Sequence, residues 1–323
     1  MTKYKVLVTA PPILPNVKNY KQSCLNHGIE LITPNFEIKE SLKKEELNKL
    51  LQGMDAILCG DDELNSGVLT RASNLKVISK WGTGIDSIDS DAAKKLGIKV
   101  YRVKDAFGAP VSDTVLSYIL LISRQILEKD SVVRSNNWRK IPSFALAERT
   151  IGIIGLGHIG KEVARKAYAM GMKVYFYDRF DISLKGKEKE YESKPLNDLL
   201  AICDFVSIHC DLNNNTFHLI GRKEFKLMKK DSIIINTARG PIINQKDLIN
   251  ALDEDLIGGA ALDVFEKEPL PKTSKLRNFK NVFLSPHNSN ASPETFKKVD
   301  IEAIKNIFKG LGTVEENYDE SLG

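Results

Sequence analysis

The chain has 323 residues, and its 47 Lys and Arg against 42 Asp and Glu leave a net charge of +5. At about 150 residues per domain this length suggests two domains with real cores, and the charges are mixed too evenly along the chain for a nucleic-acid footprint. The best apolar stretch, Val115-Leu-Ser-Tyr-Ile-Leu-Leu-Ile122, is far short of a membrane span, the N-terminus enters a strand pattern directly, and Cys24, Cys59, Cys203 and Cys210 show no metal-ligand spacing, so a cytoplasmic protein with reduced thiols and no metal is expected.

In the first hundred residues, strand patterns at 4–9, 30–33, 56–60, 77–80 and 99–103 alternate with amphipathic stretches near 16–27, 42–51, 66–72 and 87–96. Such alternation predicts a parallel sheet covered by helices. A turn-rich junction, Asp105 to Pro110, leads into one long helical pattern from about Val111 to Arg134. A second alternating series follows, with strands at 151–155, 173–178, 205–210, 232–237, 259–263 and 282–285, as in a doubly wound nucleotide fold. A last helical period runs from Pro293 to Lys309, with Ser292 as its cap and Gly310 as its stop, and could pack on either domain. Glu315 to Gly323 reads as a loose acidic tail, and the Lys-rich stretches at 43, 185 and 229 read as solvated faces.

The second series opens with Ile151-Gly-Ile-Ile-Gly155-Leu-Gly157-His158-Ile159-Gly160, and Asp178 closes its next strand eighteen residues later. Glycines there permit a tight turn and close approach to a pyrophosphate, the helix start supplies NH groups, and the acid accepts from ribose hydroxyls. A carboxylate at Asp178 favours NAD over NADP, with Arg179 beside it as the complication.

Ligands of open α/β sheets gather outside the carboxyl ends of the strands. Here those ends are Gly155, Asp178, His209-Cys210, Thr237-Ala238-Arg239-Gly240, Asp263 and Pro286-His287. Arg239, on a tight loop, offers a planar five-donor fork suited to a carboxylate. Of the five histidines, His27 and His218 read as structural and His158 fills a free position of the fingerprint. His209 and His287 both remain as acid–base candidates, with Pro286 and the polar residues after it favouring His287.

Four motifs in order, Gly155-Leu-Gly-His-Ile-Gly160, Asn236-Thr-Ala-Arg-Gly240, Leu262-Asp-Val-Phe-Glu-Lys-Glu-Pro269 and Ser285-Pro-His-Asn288, together resemble the D-isomer-specific 2-hydroxyacid dehydrogenases. The resemblance implies two doubly wound parallel-sheet domains. One is a flavodoxin-like substrate domain of residues 1–104 plus 290–323, and the other a Rossmann NAD-binding domain of residues 105–289. It implies Arg239 as the carboxylate clamp, His287 as acid and base, and Glu268 as the partner of His287, with Glu266 as a rival carboxylate. Trp81, Gly82 and Thr83 resemble the family's substrate loop. Thr83, Gly155, Gly157, His158, Ile159, Gly160, Asp178, Cys210, Thr237, Ala238, Asp263 and His287 fall to the cofactor.

The implied activity is NAD-dependent interconversion of a small D-2-hydroxy acid and its 2-oxo acid, of the phosphoglycerate, glycerate/hydroxypyruvate or glyoxylate type. The sequence departs from common family wording at His287-Asn-Ser-Asn290 and Asp211-Leu-Asn-Asn-Asn-Thr216, loops that bear on substrate preference. The alternatives are an NAD-sensing protein of the corepressor type and a phosphite or phosphonate dehydrogenase. The long helix and Asn136-Asn-Trp138-Arg-Lys140 resemble a dimerisation arm, so a homodimer is expected, with no membrane or nucleic-acid partner.

Overall fold

The computed structural model describes residues 2–39 and 41–314; the acidic tail expected from Glu315 onward lies outside the described residues. The chain divides into two compact units, Met1–Ala106 with Ser292–Gly323, and Phe107–Ala291.

The first unit is built on β1 (Tyr4–Val8), β2 (Ile29–Ile32), β3 (Ala56–Cys59), β4 (Val77–Lys80) and β5 (Lys99–Arg102). All pairs are parallel, in the order β2-β1-β3-β4-β5. This is a flavodoxin-like doubly wound sheet. Its helices are α1 (Val17–Asn26), α2 (Lys44–Leu50), α3 (Ser66–Leu69), α4 (Ser90–Lys95) and, from the far end of the chain, α11 (Pro293–Leu311). The last of these packs on β3, β4 and β5, so the C-terminal helix belongs to the first unit.

The second unit holds β6 (Thr150–Ile154), β7 (Lys173–Tyr177), β8 (Glu192–Ser193), β9 (Phe205–Ile208), β10 (Ile233–Asn236), β11 (Gly259–Leu262) and β12 (Val282–Leu284). They form one parallel sheet in the order β12-β11-β10-β9-β6-β7-β8. Strand order reverses at β6, between β7 and β9, which puts the fingerprint turn at the switch point of a Rossmann sheet. Strands β9, β10 and β11 are buried at every residue. Parallel strands covered on both faces read as such mostly apolar runs, here broken only by Ser207 and Asn236, and each fully buried Ile adds about 1.5–3 kcal/mol. The helices here are α5 (Gly108–Ser123), α6 (Ile126–Arg134), α7 (His158–Ala169), α8 (Leu196–Ile202), α9 (Arg222–Leu227) and α10 (Gln245–Asp253). Among the described residues no helix is long and apolar enough to cross a membrane.

Three expectations need correction. The helix expected to run unbroken to Arg134 ends at Ser123 and restarts at Ile126, because Gln125 takes a left-handed conformation with φ 51°. The last helix does not stop at Gly310 but runs to Leu311 and is closed by Gly312 at φ 67°. Gly310 serves packing instead: a Cβ there would lie 2.6 Å from Val77 Cγ1. Finally, Lys229 is not simply solvated, since its Nζ pairs with Asp204 Oδ1 at 2.9 Å.

Candidate active site

The turn after β6 is shaped by what its glycines cannot carry. Gly155 has φ +91°, and a Cβ on it would sit 2.6 Å from the amide nitrogen of Cys210; a Cβ on Gly160 would run into the carbonyl oxygen of Gly155. Around Gly157 the space is open. No side chain caps α7, whose first turn begins at His158, so its first amides and the positive end of its dipole are left for an anion. Asp178 accepts from the amides of Leu156 at 2.8 Å and Phe180 at 3.0 Å, fixing its carboxylate at the end of β7. The guanidinium of Arg179 lies over the Phe180 ring, 4.5 Å from its centroid. Across the switch point, the hydroxyl of Thr237 is buried with no hydrogen-bond partner. Orphaned polar atoms of this kind are costly. An open glycine turn at an uncapped helix start, a fixed acid on the next strand and an unpaired hydroxyl at β10 together fit a dinucleotide.

Arg239 stands on the loop that follows β10. Asn236 holds both ends of this turn, its Nδ2 donating to the Arg239 carbonyl at 2.9 Å and its Oδ1 accepting from the Ala238 amide at 3.0 Å. Arg239 itself is half-buried and donates from Nη1 to the Ala238 carbonyl at 2.8 Å. Gly240 presses against the backbone of Phe265, so the loops after β10 and β11 interlock.

His287 has φ 50°, a left-handed conformation uncommon outside glycine that persists only where surroundings enforce it. Asp263 enforces it. Its carbonyl accepts from the His287 amide at 2.8 Å, while its carboxylate accepts from the amides of Asn288 at 2.8 Å and Ser289 at 2.9 Å and from the Ser285 hydroxyl. The imidazole Nδ1 lies 2.8 Å from Glu268 Oε2, and Glu268 Oε1 accepts from the Phe265 amide at 2.9 Å. With Nδ1–H given to the carboxylate, the tautomer is set and Nε2 carries the ring's acceptor lone pair. Both side chains retain about a quarter of their exposure.

The rival residues have other work. Glu266 Oε1 pairs with His218 Nε2 at 2.9 Å and accepts from the Gln245 amide at 3.0 Å. His209 Nε2 is 2.8 Å from the Ser207 hydroxyl, and burial drives its pKa down to about 3, leaving it neutral and a poor base at pH 7. His27 stacks on Phe308. Burial pushes the Cys210 thiol up to about 12, so this residue is no reactive thiolate.

In the first unit, the Trp81–Thr83 loop leaves the end of β4. It is tied by Trp81 N to the Cys59 carbonyl at 2.8 Å, Val103 N to the Gly82 carbonyl at 3.0 Å and Arg102 Nη1 to the Thr83 carbonyl at 3.0 Å. Gly82, at φ 126°, makes the turn. Sequence reasoning missed the buried acid behind this loop: Asp300 of α11 accepts from Trp81 Nε1 at 2.7 Å and from the Tyr20 hydroxyl at 3.3 Å. Its signal was a lone charge within the apolar stripe Phe296, Ala303, Ile304 and Ile307.

Residues 116–289 match the family model for the NAD-binding domain of D-isomer-specific 2-hydroxyacid dehydrogenases. A glyoxylate reductase of Thermofilum pendens is 38% identical over 278 residues, covering 83% of this chain and 81% of the relative. A D-3-phosphoglycerate dehydrogenase of Methanocaldococcus jannaschii is 34% identical over 281 residues, 85% of this chain but 53% of that longer protein. Among solved structures, a D-lactate dehydrogenase of Aquifex aeolicus complexed with NAD and lactic acid superposes with a TM-score of 0.83 at 25% identity, over 99% of each chain.

Proposed function

The chain belongs to the D-isomer-specific 2-hydroxyacid dehydrogenases, and from that premise we propose that it interconverts a small D-2-hydroxy acid and its 2-oxo acid in the cytoplasm, with NAD as redox partner. Glyoxylate, hydroxypyruvate and 3-phosphoglycerate are the leading oxo and hydroxy acids, on the strength of the named relatives. The observation that carries the reading is the His287 Nδ1 to Glu268 contact of 2.8 Å on an enforced left-handed loop. When bound, NAD supplies or accepts the hydride at its nicotinamide.

The protein's share is binding, orientation and proton handling. Arg239 grips the carboxylate of the acid through its planar fork. In the oxidative direction the proton of the 2-hydroxyl passes to His287 Nε2 as the hydrogen on C2 leaves with its electron pair; in reduction the same nitrogen returns a proton to the forming alkoxide. Glu268 steadies the imidazolium through Nδ1, and Asp263, by gripping Ser285, Asn288 and Ser289, keeps the ring in place. We assign Gly155, Gly157, His158, Ile159 and Gly160 to the pyrophosphate, Asp178 to the adenosine ribose, and Cys210, Thr237, Ala238 and Asp263 to the rest of the cofactor. Trp81, Gly82 and Thr83 are assigned to the substrate, with Thr83 also meeting the cofactor. The exposed apolar side chains Ile126, Leu127, Val133, Trp138 and Phe144 support a homodimer formed through this arm.

A panel of 2-oxo acids with NADH, followed at 340 nm, tests the activity. Turnover of glyoxylate or hydroxypyruvate is the expected result, and a panel in which no acid is reduced overturns the reading.

A further inference from the structure

Asp300 is 1% exposed, yet neither of its two hydrogen-bond donors, Trp81 Nε1 and the Tyr20 hydroxyl, brings a positive charge. Burying a carboxylate with only neutral partners is expensive, and burial accordingly raises its pKa to about 6 in spite of both hydrogen bonds. An apolar residue would complete the stripe of α11 without that cost. The acid is therefore kept for what it holds, and it holds the indole that opens the loop Trp81–Gly84. The other ties of that loop end on backbone carbonyls. Two side chains of α11 meet the indole: Asp300 at its N–H and Phe296 edge-on, with ring centroids 5.0 Å apart.

We propose that Asp300 is a positioning residue: by holding the Trp81 indole it fixes the loop Trp81–Gly84 in the orientation that receives the 2-oxo acid, and it thereby sets KM rather than kcat. The inference rests on the assignment of that loop to the substrate.

The chain has two tryptophans, so in a Trp138→Phe background the emission of Trp81 reports the loop directly. In that background Asp300→Leu, Asp300→Asn and Trp81→Phe are assayed with glyoxylate and NADH. Asp300→Leu removes the acceptor while keeping the branched outline of the side chain; KM is expected to rise about tenfold, the worth of one good buried hydrogen bond, with kcat within about twofold and Trp81 emission shifted. Asp300→Asn keeps one acceptor and is expected to recover most of the lost KM. Should Asp300→Leu fail to fold, Asp300→Ser, too short to reach the indole, replaces it with the same expected outcome. Folded Asp300→Leu or Asp300→Ser with the parent KM and emission, while Trp81→Phe raises KM, overturns the inference and leaves the loop assignment standing. An unchanged KM in Trp81→Phe overturns both.

Discussion

Replacing His287 with Ala is expected to slow turnover by about 10² to 10⁴-fold, the usual worth of a positioned acid–base group, while His209→Asn leaves the pH–rate profile in place. The contrast follows from surroundings: Nδ1 of His287 is matched to Glu268, whereas His209 is pressed into neutrality beside Ser207. Steady-state kinetics on the two variants check it, and equal losses from both would reassign the base. Asp300 makes a second prediction through pH. Its carboxyl is raised from 3.8 to about 6 by burial, so folding favours the protonated form. The stabilisation is complete below about pH 4 and is lost as pH rises through about 6. Asp300→Asn, which cannot ionise, is expected to gain on the parent between pH 5 and 8 by on the order of 1–2 kcal/mol; melting curves that stay parallel across that range would refute it. Residue roles were unevenly legible. Asp178 announces itself by spacing from the glycines. That Glu268 turns to His287 was legible only through the family resemblance; that the rival Glu266 turns to His218 was not, since spacing alone does not separate two acids two residues apart on one loop.

At the level of elements, short apolar runs such as Ala56–Cys59 and Ile233–Asn236 made the strands of both sheets readable, since a strand buried on both faces is mostly apolar. The two residues of β8 are too few to carry a period. Glycine misled in one place and informed in another. Gly171, at φ 89°, does end the turn after α7 as a stop signal should, but Gly310 is a contact surface, and only the position of Val77 beneath it tells the two apart. Likewise, no property of Gln125 in sequence marks it for a left-handed conformation. The break it makes separates α5, buried along one face, from α6, which carries the exposed Ile126, Leu127 and Val133. A helix that changes its role along its length has been cut where the role changes.

For the whole molecule, the proposed homodimer is the prediction: light scattering at micromolar concentration is expected to return twice the chain mass, and charges placed at Trp138, which is 88% exposed, are expected to halve it. A monomeric mass for the parent protein removes the proposal. The insertion of residues 107–291 between two segments of the first unit has a separate consequence, in time rather than in space. On the ribosome the inserted unit is delivered whole, and can fold, while β3, β4 and β5 still await α11 from nearly two hundred residues downstream. Until translation reaches that helix, β3, β4 and β5 lack the cover that α11 gives them beside α1, so the nascent chain carries a sticky patch through much of its synthesis, and α11 is the step that retires it.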